Sequence, residues 1–184
     1  GPAAGARPAK EIRRHIGAFS LQAPGMSQKG VIASFGHVLR DLPEDAWPER
    51  GYACTAVDAL TGEFVVWNRE AHVGLARAVA SSCSVPGIYP PMTINGRRYI
   101  DGGMRSSTNV DVAKGYDRVA VVAVTTGVGD AARNARLRER LDAEIAELRA
   151  AGSTVEVITP DAASQEAFGV NLMDFRRRPA AVEA

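Results

Sequence analysis

The stretch Val119-Ala120-Val121-Val122-Ala123-Val124, followed by Arg133 to Arg149 and then Thr154-Val155-Glu156-Val157-Ile158, decides the fold class. The first run is continuously apolar and short, the pattern of a strand covered on both faces. In the second, Leu137, Leu141, Ile145 and Leu148 recur at helical spacing. Arg138 with Asp142 and Arg140 with Glu144 are placed for opposite-charge pairs one turn apart. The third run alternates as a strand. Strand, helix and strand at this spacing predict a βαβ unit. The expected class is α/β, three-layered, with a mainly parallel sheet and hairpin excursions.

Working back toward the N-terminus, Asn95-Gly96 separates Met92-Thr93-Ile94 from Arg97-Arg98-Tyr99-Ile100, a strong signal for a two-residue hairpin. Leu75 to Ser82 is an alanine-rich helix that must end before Pro86. Tyr52 to Val57 and Glu63 to Trp67 read as two strands joined by the turn cluster Asp58 to Gly62. Lys10 to Phe19 and Val31 to Leu39 read as short helices, interrupted at Ala23 to Gln28. Residues 1–9 are rich in Gly, Pro and Ala and read as a linker or cut edge, leaving 10–184 as one domain.

Composition narrows the function. The chain has 184 residues, 46% of them hydrophobic, and a formal net charge of +1. That balance carries no basic footprint for nucleic acid. Arg176-Arg177-Arg178 is the one dense basic run and reads as a solvated helix start. Two cysteines, Cys54 and Cys83, form neither a metal spacing nor a disulfide framework, and read as buried free thiols of a reducing compartment. No apolar run is long enough to span a membrane. No cofactor or metal site is expected. These features together set the expected location as cytoplasmic.

The chemistry centres on Tyr99-Ile100-Asp101-Gly102-Gly103. A carboxylate at a strand end followed by two glycines lets another backbone or a substrate come close. Asp101 reads either as a general base for a serine hydroxyl or as a turn aspartate capping the loop before Ser106 to Asn109. A Ser-His-Asp triad in α/β-hydrolase order fails, because His15, His37 and His72 all precede Asp101. No Gly-x-Ser-x-Gly elbow occurs. Ser81, Ser82, Ser84, Ser106 and Ser107 therefore read as packing or capping residues. Gly127-Val128-Gly129-Asp130-Ala131-Ala132 matches the dinucleotide fingerprint, but the expected ribose-binding acid is met only by a late Asp161, so flexible loop glycines are the simpler reading.

Ala80-Ser81-Ser82-Cys83-Ser84-Val85-Pro86-Gly87, Tyr89-Pro90-Pro91, the Asp-Gly-Gly run and Asn109 together resemble the second half of a patatin-like phospholipase domain. The Tyr52 to Trp67 pair, with Asp58 and Thr61-Gly62, is similar to that family's strand pair. The resemblance implies a lipid acyl hydrolase working through a serine–aspartate dyad without histidine, metal or cofactor. It assigns the dyad aspartate to Asp101, with Gly102, Gly103, Pro86, Gly87 and Asn109 as supporting motif residues. It also implies a phospholipid or other acyl-ester substrate and peripheral contact with a membrane surface.

The family's glycine-rich oxyanion loop and serine elbow have no counterpart in these residues. The chain is thus expected to be a C-terminal portion, incomplete on its N-terminal side and inactive alone. The missing half would come in cis or as a separate chain. The alternative is a non-catalytic α/β binding or scaffold module that has lost the nucleophile.

Overall fold

A computed structural model describes residues 8–22, 26–35, 41–43, 46–124, 130–172 and 174–184. The chain divides into two compact units, Gly1–Ser106 and Ser107–Ala184. The expected linker before Pro8 and residues 36–39 at the end of the second expected helix, His37 among them, lie outside the described residues.

The first unit starts with helices α1 (Ala9–Gln22) and α2 (Gln28–Ser34). Strands β1 (Cys54–Asp58) and β2 (Phe64–Trp67) follow, then helix α3 (Leu75–Ser82) and strands β3 (Met92–Ile94) and β4 (Arg97–Asp101). The strands form one antiparallel sheet in the order β2-β1-β4-β3. Asn95 and Gly96 adopt φ of 50° and 75°, the double left-handed geometry of a type I′ turn. That turn sets the β3/β4 register, with Met92 opposite Tyr99.

Period-two alternation gives this sheet two different faces. On one, Ala56, Trp67 and Tyr99 pack with Leu75 and Ala78 of α3, and the Trp67 and Tyr99 rings meet edge to face at 4.9 Å. On the other, Val57 and Ile100 pack with Ile16 and Leu21 of α1. Complete burial of an aliphatic side chain contributes about 1.5–3 kcal/mol, so Val57 and Ile100, both fully buried, anchor that second layer.

The second unit contains β5 (Arg118–Val122), α4 (Ala131–Ala150) and β6 (Thr154–Ile158), with α5 (Ala162–Phe168) and α6 (Arg178–Glu183) beyond. β5 and β6 are parallel, with Val121 opposite Val157. Leu141, Ile145 and Leu148 of α4 pack on Val121, Ala123 and Val155. Arg140 pairs with Glu144 at 3.3 Å as the spacing predicts.

The α/β class and the strand–helix–strand unit therefore stand. Two details differ from expectation. Among the described residues the parallel pairing is confined to β5 and β6, because the connections within the larger sheet suit antiparallel neighbours. The run from Val119 to Val124 is covered on one face only: α4 takes the odd-numbered side chains, while Val122 and Val124 are 62% and 52% exposed.

Candidate active site

Asp101 is the last residue of β4 and sits opposite Ala56 of β1. Alternation places it on the α3 face of the sheet, with Tyr99, while Ile100 points to α1. Its backbone is fixed from the helix side: Asp101 N donates to Ser84 O at 3.0 Å. The loop leaving α3 and the end of β4 are thus tied together, as the two halves of the sequence pattern require.

Its carboxylate is divided between two tasks. The Gly103 amide donates to Oδ1 at 2.6 Å, which caps the short 3-10 turn Gly102–Met104. Oδ2 accepts no hydrogen bond among the described residues. Burial pushes the Asp101 carboxyl above the usual carboxylate range, and the Gly103 amide offsets only part of that. A partly buried carboxylate with raised proton affinity and one uncommitted oxygen can act as a general base. The cap expected of a turn aspartate is present as well, so a single side chain serves both readings.

Gly102 is required by packing. A Cβ there would come within 2.5 Å of the Thr55 carbonyl oxygen of β1, and closer still to its hydroxyl. Gly102→Ala is expected to lower stability by about 2 kcal/mol through overpacking, or about 5 °C in melting temperature for a chain of this size. An unchanged thermal midpoint would show that β1 yields at Thr55. Pro86 and Gly87 have another purpose. Ile88 N donates to Val85 O at 3.0 Å, and Gly87 takes φ of 83°, the arrangement of a type II turn with proline first and glycine second. This turn ends the α3 excursion and sends the chain through Tyr89, whose ring lies 5.2 Å from that of Phe35.

Asn109 belongs to the second unit. It is buried, holds a left-handed φ of 47°, and starts the 3-10 turn Val110–Ala113. That turn is anchored by Glu144, whose Oε2 accepts from Val110 N at 3.2 Å and Thr108 Oγ1 at 3.1 Å.

Ser81 and Ser84 behave as packing residues. Ser81 Oγ donates to Ala78 O and accepts from the Trp67 indole, while Ser84 Oγ donates to Ala80 O; both are fully buried. His15 and His72 are exposed, and His15 caps back onto Glu11 O within α1. Asp130, inside the dinucleotide-like run, and Asp161, its late candidate acid, are N-caps of α4 and α5. Gly127 to Gly129 lie outside the described residues.

Two features escaped the sequence. Cys83 lies close enough to Asp101 for the carboxylate, after burial, to push its thiol up. Cys54 is pushed up to about 12 by burial and by Cys83. Neither is a ready thiolate nucleophile. Asp58, read from the sequence only as part of the turn joining two strands, is a buried acceptor. Its Oδ1 takes the Leu60 and Thr61 amides at 2.9 and 2.8 Å, and its Oδ2 takes Arg97 Nε at 2.8 Å.

Among the described residues no group of His, Cys, Asp and Glu could hold a metal, and no helix is long and apolar enough to cross a membrane. No curated protein matches the chain. A family model described as Patatin-like phospholipase matches residues 10–114, which include Asp101 and the α3 loop.

Proposed function

The chain belongs to the patatin-like phospholipase family, a family of lipid hydrolases, and from that premise we propose that Asp101 is the base of a serine–aspartate dyad that hydrolyses phospholipids or other acyl esters. The observation that carries the reading is the state of this carboxylate: Oδ1 held by Gly103, Oδ2 uncommitted, and the proton affinity raised by burial. We take residues 10–184 as the C-terminal portion of the catalytic domain. A segment ahead of it, in cis or as a separate chain, supplies the nucleophilic serine and the oxyanion donors. We place the chain in the cytoplasm on the strength of its two free cysteines, with peripheral membrane contact as the counterpart of a lipid substrate.

In this reading the serine Oγ attacks the ester carbonyl and its proton passes to Asp101 Oδ2. The tetrahedral intermediate collapses, and the leaving alcohol takes the proton back. Water then attacks the acyl-enzyme, again giving its proton to Asp101, and the serine departs reprotonated with release of the fatty acid. Buried Ser81 and Ser84, both engaged with α3 carbonyls, are poor substitutes for that nucleophile.

Fluorophosphonate labelling read by intact mass tests this directly. The 184-residue chain is expected to stay unlabelled, and a longer polypeptide with a Gly-x-Ser-x-Gly segment ahead of residue 1 is expected to take one label. A label on the short chain would place a reactive serine within it and remove the need for a second segment. Absence of label from both would sink the hydrolase reading and favour a binding module.

A further inference from the structure

Asp101 is tied through its backbone to Ser84, whose carbonyl accepts its amide at 3.0 Å, and the chain beyond Ser84 changes character at once. From Val85 to Pro91 it reads Val-Pro-Gly-Ile-Tyr-Pro-Pro, without a charged side chain and with the Tyr89 hydroxyl as its one polar side-chain group. Connecting loops are ordinarily drawn from polar turn residues. An apolar loop joined to a carboxylate with a free oxygen therefore has the make-up of a binding surface.

The loop is also rigid. Val85 O closes the turn twice, accepting from Ile88 N at 3.0 Å and from Tyr89 N at 2.9 Å. Pro86 fixes one backbone angle and Gly87 supplies the left-handed φ of 83°. Past the turn, the Tyr89 ring meets Phe35 and packs on the cluster of Val31, Ala80 and Met92. Val85 and Tyr89 are half-buried, whereas Ile88 is 52% exposed. A fixed turn thus holds a branched aliphatic side chain out in water, where it cannot fold away.

The first and fourth Cα atoms of such a turn lie within about 7 Å. Ile88 Cα therefore stands within about 11 Å of Ser84 Cα, at the residue bonded to Asp101. A long acyl chain whose carbonyl is held at Asp101 reaches that far. The order of polarity matches as well: an ester carbonyl for the carboxylate, then hydrocarbon that leaves water for an apolar surface. We propose that Ile88, carried on the Val85–Tyr89 turn, contacts the acyl chain of the substrate and sets a preference for long chains. The assignment rests on the hydrolase reading and names the part of the ester that the dyad does not touch.

The test compares kcat/KM for p-nitrophenyl laurate and p-nitrophenyl butyrate in the longer, serine-bearing polypeptide. Ile88→Ser is expected to lower the laurate-to-butyrate ratio about tenfold, and Ile88→Leu to hold it within about twofold. At an exposed position, Ile88→Ser is expected to keep the wild-type thermal midpoint. An unchanged ratio in Ile88→Ser overturns the acyl contact, while turnover by the wild type keeps the hydrolase reading. A fall in the thermal midpoint of the longer polypeptide that the 184-residue chain does not share also overturns it, because Ile88 would then be packed on the preceding segment. A wild type inert toward both esters overturns the hydrolase reading and the acyl contact with it.

Discussion

Asp101→Asn is expected to reduce ester hydrolysis by about 10³–10⁴-fold, measured in the longer, serine-bearing polypeptide that accepts fluorophosphonate. The substitution is isosteric. Its side-chain oxygen can still accept the Gly103 amide, so the cap and the Ser84 link survive. What it removes is the proton acceptor.

Stability should move the other way. The folded carboxyl of Asp101 is raised above its unfolded value. Its favourable contribution is therefore complete below the unfolded value and is lost as pH rises through the folded one. At neutral pH the ionised, partly buried carboxylate opposes folding, and Asn relieves that cost. The expected pairing is an inactive variant with an equal or higher melting temperature. In the wild type, activity should rise with pH along an acid limb lying above the ordinary carboxylate range of about 4. Full activity in Asp101→Asn would remove the residue from the mechanism. A large loss of melting temperature would make it a structural cap alone.

Asp58→Ala should produce the largest loss of stability. The side chain is 2% exposed and collects two amides and one guanidinium. Removing it strands the Leu60 and Thr61 donors in the turn that joins β1 to β2, and costs about 3 kcal/mol. That corresponds to a fall of about 10 °C. Arg97 is half exposed and recovers water, so its share of the cost is small.

The pH dependence separates this from a simple packing defect. Burial disfavours the ionised carboxyl, yet the Thr61 and Leu60 amides and Arg97 hold it below the usual range. Its contribution is therefore present above the unfolded value and disappears as pH falls through the folded one. Thermal unfolding of the wild type should weaken steeply in acid, and Asp58→Ala should show a shallower slope there. Equal slopes for the two proteins would mean that the carboxylate charge is not what holds the turn.

Much of this architecture was legible because its signals are local. Asn95-Gly96 tolerates left-handed backbone at both positions and so fixed the β3/β4 hairpin before any contact was known. Leu75 to Ser82 and Thr154 to Ile158 carry their own period and their own stop signals, and both elements have those limits. Asp101 stood out for the same reason, a carboxylate between an alternating strand and two glycines.

What the sequence could not express is which neighbour each group meets. Whether a strand is covered on both faces depends on elements far away in the chain, and Val122 is apolar but exposed. The protonation tendency of Asp101 depends on how far packing buries its carboxyl, with the Gly103 amide offsetting part of that burial. Asp58 looked like one more turn aspartate until Arg97, distant in sequence, arrived through the register of β1 with β4. Local backbone preference determined the elements and singled out the catalytic candidate. Burial and cross-strand register, which exist only once the chain is packed, decided what each carboxylate can do.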